Sequence, residues 1–508
     1  MASNTISRKA AAPDQSQIKA GKKLSFGKTL SAFVFTGPIW ILILGANPST
    51  LSSSTIILAQ TLLVIFCAFM FTLEFRKSSP SPLILMIWVF NCGNVGVPGL
   101  TQLLSGVGPW PIFIDDNTYL IAQVATVIAS MFLIFLLSLP QQAMTKIPSV
   151  RNISRYRLRN LLILMIPMVA YAISAGGGIG AYFGSRGAVS SAKALAGVTK
   201  AQNGLFVSGS QAIVLVVFVC ALRLRKINKD DPIVRIALPV SGLFLVILSN
   251  PLSSSRYWFF TVISTIAVAT IRLTPGRIRA GAMSIFYGLL FVFPFADYFR
   301  RTEHTVGAIG KAAWLTGDYD GLQITAAGIQ WFEYNGAVWG HQLLGALLPV
   351  VPRSIWTSKP IDTGVMIAQA SGMKFRNISG PWVAEAVINF GYAGLFIFPI
   401  LIAYFFRRIR FRSVTAPDDF GIVLNAFLVG YLPILLRGSL IQASGVLGLF
   451  VLFILYITPK QAGTKISIRE KIEREFFCIK PPKKQNQSLC RIGFGAQFFR
   501  ALLTVDPV

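Results

Sequence analysis

The feature that most constrains this chain is a series of long apolar runs without a charged residue. Runs such as 55–73, 118–138 and 440–457 approach the roughly 20 residues that a helix needs to cross a bilayer. Only 13% of all residues are charged and the mean hydropathy is +0.62, whereas a soluble domain carries about 25% charged residues. The sequence therefore predicts an all-α integral membrane protein and excludes the water-soluble fold classes.

About twelve membrane-spanning helices can be drawn, nine in residues 30–299 and three in residues 384–458. A basic arm (1–29) precedes them, a basic tail (459–508) follows them, and the long polar segment 300–383 separates helices 9 and 10. The predicted spans are 30–46, 55–73, 83–101, 118–138, 160–179, 209–222, 234–249, 256–271, 281–297, 384–405, 420–436 and 440–457.

The net charge of +28 is spread over the short connections between the spans rather than over a soluble domain. Lys and Arg concentrate on the cytoplasmic side of membrane proteins, and alternate connections here are rich in both. This pattern predicts that both termini are cytoplasmic and that segment 300–383 faces the opposite side. Orientation in the bilayer and contact with anionic lipid explain the charge, so nucleic acid is not an expected partner.

Segment 300–383 contains both histidines of the protein, His304 and His341, and is rich in tryptophan. Tryptophan at this density predicts a segment that lies on the bilayer surface. The tryptophans in and beside the segment are Trp314, Trp331, Trp339, Trp356 and Trp382.

Four cations in this segment can be a solvated face or a clamp for a diphosphate, in which guanidinium and ammonium groups replace a metal. Prolines 349, 352 and 360 restrict the backbone around Arg353 and Lys359, which favours a fixed binding site. The four cations are Arg353, Lys359, Lys374 and Arg376. No metal or other cofactor is predicted.

Two arginines stand at the same predicted face of the membrane, Arg256 at the start of one span and Arg437 at the end of another. Each can reach out to lipid headgroups, or it can direct its fork of donors towards phosphate oxygens. Between them in sequence, Asp318 and Asp320 are two residues apart and flanked by glycines. That spacing fits a turn better than a carboxylate pair that shares a divalent metal.

His341 and Glu385 are the main candidates for a general base. Tyr334 and His341 are seven residues apart, which predicts a shared helix face beside Glu333, and imidazole titrates near neutral pH. A structural role for His341 is the alternative. Glu385 begins the span after the polar segment, where it either caps its helix or acts as a desolvated base. His304 is the weaker histidine candidate.

One stretch resembles a known family of membrane enzymes. Pro352-Arg353-x-x-Trp356-x-Ser358-Lys359-Pro360, followed by Glu385, Asn389-Phe390-Gly391 and Gly394, is similar to the bacterial oligosaccharide repeat-unit polymerases, the Wzy-type O-antigen and exopolysaccharide polymerases. The likeness covers roughly residues 343–398, with a weaker match at Arg256. Elsewhere only the architecture agrees.

The resemblance implies a GT-C-like fold in the bacterial inner membrane. It implies a reaction at the outer face that polymerises repeat units linked to undecaprenyl diphosphate. Arg256 and Arg353 would hold the diphosphates with help from Lys359, and Arg437 is our own addition to this set. Glu385, Asn389 and Gly391 would shape the junction between loop and helix. A chain-length regulator and a flippase are further candidate partners.

Two other functions fit the same features. An O-antigen ligase uses the same donor but a different acceptor. A transporter or flippase of lipid-linked sugars would need no catalytic group, but such proteins carry ionisable residues at mid-membrane, and the spans here contain almost none.

Overall fold

The structure is a computed structural model that describes residues 53–140, 150–184, 186–199, 202–293, 314–349, 351, 353–415 and 418–460. The predicted basic arm and first span lie outside the described residues, as does the basic tail from residue 461 onward. His304 also lies outside them.

The described residues form helices, and the only β pairing among them is an isolated bridge between Arg151 and Lys460. The helices are α1 (Ser54–Arg76), α2 (Pro82–Ser105), α3 (Asp116–Ser138), α4 (Arg155–Ala175), α5 (Ile179–Tyr182), α6 (Arg186–Leu195), α7 (Asn203–Ile227), α8 (Pro232–Leu248), α9 (Arg256–Thr270), α10 (Pro275–Tyr287), α11 (Gly321–Asn335), α12 (His341–Leu347), α13 (Thr363–Ala370), α14 (Trp382–Phe390), α15 (Gly394–Thr415), α16 (Asp419–Arg437) and α17 (Leu440–Ile457).

Eight helical segments among the described residues are long and apolar enough to cross a membrane. They are α1, α2, α3, α4, α7, the α14–α15 segment, α16 and α17. The prediction of an all-α, multi-pass membrane protein is confirmed at this level. Three further predicted spans fall on shorter helices: α8 has 17 residues, α9 has 15, and α10 has 13 before a π-helical turn.

Helix α1 carries an exposed apolar surface of the kind that contacts lipid. Apolar side chains of α1 stay exposed along one stripe, at intervals of three or four residues. Water would make such a stripe unfavourable, whereas lipid chains cover it without cost. The exposed residues are Leu58, Leu62, Ile65, Phe69 and Leu73.

The described part of the long polar segment is partly buried and partly exposed. Trp314 is 3% exposed and Trp382 is 2% exposed, so these two indoles fill the interior instead of marking a lipid interface. The first nine residues of α11, from Gly321 to Ile329, are all buried. Trp339, in contrast, is 80% exposed. The tryptophans of this segment therefore do not share one position at the surface.

Tyr334 and His341 do not share one helix face, contrary to the spacing argument. Helix α11 ends at Asn335, and a new helix begins at His341. Between them Gly336 has φ 76°, Trp339 has φ 50° and Gly340 has φ 81°. An α-helix cannot continue through these left-handed conformations.

Helix α2 carries a π-helical turn from Asn91 to Gly96 in its middle. The turn contains two buried asparagines: the Asn91 amide donates to Ser130 Oγ at 2.8 Å, and Asn94 faces the polar segment. Gln60 on α1 donates to the carbonyls of Val95 and Gly96, which have left the regular helical ladder. A π turn that presents polar side chains inside an apolar helix commonly marks a functional region.

Gly321 on α11 packs against buried side chains of α2. A Cβ on Gly321 would stand 2.3 Å from Asn94 Oδ1 and 3.1 Å from Val95 Cγ2, so Gly321→Ala must displace these side chains from the π-helical turn. We expect a loss of about 1–3 kcal/mol in the free energy of unfolding, seen as a lower unfolding temperature in detergent. The matched control is Gly445→Ala on α17, where a Cβ meets no atom within 4 Å. Equal unfolding temperatures for both variants would contradict the packing.

Candidate functional site

Two arginines meet at one end of a helix pair. Helices α9 and α16 pack side by side, and the Thr261 hydroxyl donates to the Gly430 carbonyl at 3.0 Å where they cross. Arg256 is the first residue of α9 and Arg437 is the last residue of α16. Because both side chains contact one short turn, the two helices run antiparallel and present their guanidinium groups at the same end.

That turn is Gly317–Tyr319 with Asp320, immediately before α11. Arg256 forms an ion pair with Asp318, and Arg437 pairs with Asp320 at 3.2 Å while donating to the Gly317 carbonyl at 2.6 Å. Each aspartate therefore faces a different arginine. We call Arg256, Arg437, Asp318 and Asp320 the arginine cluster.

The two ion pairs differ in how far they are removed from solvent. The side chains of Arg256 and Asp318 are 5% and 32% exposed, and those of Arg437 and Asp320 are 19% and 0% exposed. Asp318 is thus the member of the cluster most accessible from outside. Asp320 is enclosed, and an enclosed carboxylate needs its donors to remain charged.

Further polar side chains hold the cluster in position. Trp110 Nε1 donates to Asp320 Oδ2 at 2.8 Å, and the Ser379 amide donates to the same oxygen at 3.3 Å. Asn94 donates to the Tyr257 hydroxyl at 3.1 Å and to the Asp318 carbonyl at 3.2 Å. The guanidinium of Arg437 stacks 5.2 Å from the centre of the Tyr257 ring. These contacts fix the turn against α2, α9 and α16.

Glu385 lies close to the cluster through the turn that joins α16 to α17. It is fully buried on α14, and its Oε1 accepts from the Leu440 amide at 3.0 Å. Glu385 therefore caps the N-terminus of α17, a neighbouring helix rather than its own. Thr363 and Ser439 are further hydrogen-bonding neighbours of the same carboxyl. Arg437 is three residues before Leu440, and its carbonyl accepts from the Gly380 amide at 3.1 Å.

A second acid, Asp362, lies near enough to Glu385 to interact with it electrostatically. Burial raises the pKa of Asp362 above its usual value of 3.8, and hydrogen bonds from Ser439 and Val365 offset only part of that effect. Thr363 and Ser439 interact with both acids or with the residues beside them, so Asp362, Thr363, Ser439 and Glu385 form one polar recess beside the start of α17.

Arg353 and Lys359 bind the loop in which they reside. Arg353 donates to the carbonyls of Lys359 and Pro360 at 2.5 and 3.0 Å, and Lys359 Nζ donates to those of Pro349 and Val351 at 2.8 Å each. Burial, followed by the charge of Arg353, lowers the pKa of Lys359. The structure therefore uses these two cations to close residues 349–360 into a loop.

His341 begins α12 and is separate from the arginine cluster. Its ring meets the Trp356 ring edge-on at 5.7 Å. Among the described hydrogen bonds, none joins its side chain to the cluster. Asn389 ties α12 to α14, because its Oδ1 accepts from the Leu343 amide at 3.0 Å and its Nδ2 donates to the Glu385 carbonyl at 2.8 Å. Gly391, at φ 61°, then ends α14.

Sequence reasoning missed Asn94 and Trp110, and it treated the two aspartates only as a turn or a metal pair. A signal for Asn94 was present, since Asn91, Gly93, Asn94 and Gly96 interrupt an otherwise apolar span. Polar amides at that depth are expensive unless they bind something. No comparable signal marks Trp110, which is one of several tryptophans near the predicted membrane boundary.

No protein-family model matches this chain, and neither a curated protein nor a solved structure does. Any function must therefore be inferred from the chemistry of the described residues.

Because Asp320 is enclosed and Asp318 is partly exposed, we expect replacing the two aspartates to lower the free energy of unfolding by different amounts. Asp320→Ala leaves Arg437 without its partner in the interior, which costs about 3–5 kcal/mol in comparable buried pairs. Asp318→Ala leaves Arg256 bound to the Phe293 carbonyl and next to a carboxylate position that solvent already reaches, whereas Asp320 also holds Trp110, so the loss for Asp318→Ala should be clearly smaller. Unfolding temperatures of the purified variants measure both effects. A larger drop for Asp318→Ala would refute this ranking of the pairs.

The raised pKa of Asp362 predicts that the stability of the folded protein depends on pH. Its pKa is higher in the folded protein than in the unfolded chain, so the folded state binds the proton more tightly. The stabilisation is present below pH 3.8 and is lost as the pH rises through the raised pKa. Asp362→Asn imitates the protonated acid and should raise the unfolding temperature more at pH 8 than at pH 4.5. A difference that does not vary with pH would contradict this assignment.

Proposed function

We propose that this protein is a membrane-embedded glycosyltransferase with a GT-C-like fold. It polymerises oligosaccharide repeat units carried on undecaprenyl diphosphate, at the outer face of a bacterial inner membrane. The observation that carries the proposal is the pair of largely buried guanidinium groups, Arg256 and Arg437, that converge at one end of the α9–α16 helix pair.

Two buried arginines suit a diphosphate leaving group. When the bond between a sugar and its lipid diphosphate breaks, negative charge develops on the departing phosphate oxygen. Guanidinium keeps its positive charge under all physiological conditions and offers parallel donors that match phosphate oxygens. At positions with little water, fixed donors stabilise this charge more strongly than they would in solution. These groups take the part that a metal plays in other transferases.

The arginines already bind oxyanions, since each holds an aspartate carboxylate. We place the diphosphate on the side of Asp318, the aspartate that is 32% exposed. A phosphate that reaches Arg256 replaces the Asp318 carboxylate. Asp320 stays in place, because it is enclosed and also accepts from Trp110.

In the proposed step, a hydroxyl oxygen of the acceptor unit attacks the anomeric carbon of the growing chain. The new glycosidic bond forms as the bond to the diphosphate breaks, and the hydroxyl proton passes to a base. Glu385 is the stronger candidate for that base, since it is a buried carboxylate that accepts from the Leu440 amide, three residues after Arg437. His341 is the second candidate. Arg353 and Lys359 close the loop of residues 349–360, and in this proposal they assist in binding the diphosphate.

The partners in this proposal are the lipid-linked donor and acceptor, with a chain-length regulator and a flippase acting alongside. An O-antigen ligase is the nearest alternative enzyme. Deletion in the native cell separates the two: loss of a polymerase leaves single repeat units on the acceptor, and loss of a ligase leaves none. A flippase makes no polymer from lipid-linked units when it is purified and placed in liposomes.

The decisive variants separate chemistry from folding. Arg437→Gln alone leaves the Asp320 carboxylate without its ion pair in the interior, so this variant should be strongly destabilised. Its loss of activity would not distinguish a role in chemistry from a role in folding. The double variant Arg437→Gln with Asp320→Asn removes both charges and should recover stability. In liposomes supplied with lipid-linked repeat units, we expect this double variant to form at least about a hundredfold less polymer than the unaltered protein.

Arg225→Gln is the matched control, because Arg225 is an exposed arginine at the end of α7 and lies outside the cluster. It should polymerise at the unaltered rate, as judged by gel display of the glycan. Normal polymer from a stable double variant would rule out the assigned role of Arg437.

A further inference from the structure

An apolar cavity of about 890 Å³ lies beside the helix pair that carries the arginine cluster. Helices α2, α9 and α10 form most of its wall, with α16 at one corner. The wall consists largely of aliphatic and aromatic side chains, among them Leu85, Phe260, Ile263 and Ile285. A cavity of this size and lining, in the membrane part of a protein, suits a hydrocarbon chain better than a polar ligand.

The charges on the cavity wall are at one end only. Arg272 and Arg277 line that end, and both are exposed. Lys226 lies nearby, where its ammonium group binds the Thr270 carbonyl. No carboxylate is among the lining residues. An anionic headgroup is therefore the complement that this end lacks.

The opposite end of the cavity is closed by aromatic rings. Tyr257 and Phe293 line it, and the guanidinium groups of Arg437 and Arg256, which are not lining residues, stack on these two rings. Helix α9 has 15 residues and separates the two ends by about 22 Å at 1.5 Å per residue. A phosphate bound at Arg272 and Arg277 is therefore a different group from the diphosphate proposed for Arg256.

We propose that this cavity binds an anionic phospholipid, with one acyl chain between α9 and α10 and its phosphate on Arg272 and Arg277. This site is distinct from that of the lipid-linked substrate and belongs to the other membrane leaflet. The bound lipid fills the space between α9 and α10 and so supports the helix that positions Arg256. The proposal does not depend on the glycosyltransferase assignment.

Two glycines in the cavity wall allow a direct test. Gly281 and Gly288 line the cavity, and a Cβ built on either meets no atom within 4 Å. Gly281→Phe with Gly288→Phe should therefore occupy the cavity without forcing the helices apart. The control is Gly448→Phe on α17, where a Cβ is equally unobstructed but no cavity residue is near in sequence.

The experiment is native mass spectrometry of the purified full chain, titrated with dioleoyl-phosphatidylglycerol or dioleoyl-phosphatidylcholine. We expect the unaltered protein to retain one phosphatidylglycerol in preference to phosphatidylcholine. Arg272→Gln and Arg277→Gln should each weaken that binding about fivefold, since a cation near an anionic lipid contributes about 1 kcal/mol. The double phenylalanine variant should lose the bound lipid, whereas Gly448→Phe and Arg225→Gln should keep it.

Three results would overturn the proposal. The first is equal retention of phosphatidylglycerol and phosphatidylcholine, which would remove the role of charge. The second is undiminished phosphatidylglycerol binding by the double phenylalanine variant, which would place the lipid elsewhere. The third is displacement of phosphatidylglycerol by undecaprenyl phosphate in the unaltered protein but not in Arg256→Gln, which would make the cavity part of the substrate site.

Discussion

The ion pair between Arg437 and Asp320 is the interaction on which the proposed site depends. Asp320 is fully enclosed and accepts hydrogen bonds from three separate parts of the chain: α16 through Arg437, the connection before α3 through Trp110, and the connection before α14 through Ser379. An unpaired charge at this depth would be very unfavourable. The pair therefore holds the turn before α11 against the end of α16, and the same turn contacts Arg256 at the start of α9 through Asp318.

This arrangement connects the arginine cluster to the acid residues. Arg437 ends α16, and Leu440, whose amide is capped by Glu385, begins α17. The four residues from 437 to 440 thus join the groups proposed to hold the diphosphate to the group proposed to accept a proton. Arg353 and Lys359 differ from the arginine cluster, because each donates hydrogen bonds to backbone carbonyls of its own loop. Their predicted contact with a diphosphate requires these bonds to open.

The membrane class and the two candidate arginines could be proposed from sequence, because each is indicated by residues that are neighbours in the chain. Hydropathy is visible in each run, and a cation at the end of an apolar run stands out by itself. The partners of these arginines are not local: Asp318 is 62 positions from Arg256, and Asp320 is 117 positions from Arg437. Of the twelve predicted spans, eight coincide with long apolar helices, one lies outside the described residues, and three fall on shorter helices such as α9, whose length apolar content alone does not reveal. The prediction that Tyr334 and His341 share one helix face was wrong, because residue spacing does not reveal the left-handed backbone at Gly336 and Gly340.

The central claim is that the arginine cluster recognises the diphosphate of a lipid carrier. Calorimetric titration of the purified protein with farnesyl diphosphate, beside farnesol as the uncharged reference, tests it most directly. The account predicts binding that requires the diphosphate, weakens as salt concentration rises, and disappears in the variant that combines Arg437→Gln with Asp320→Asn. Equal binding of farnesol, or farnesyl diphosphate binding that persists in that variant, would contradict it.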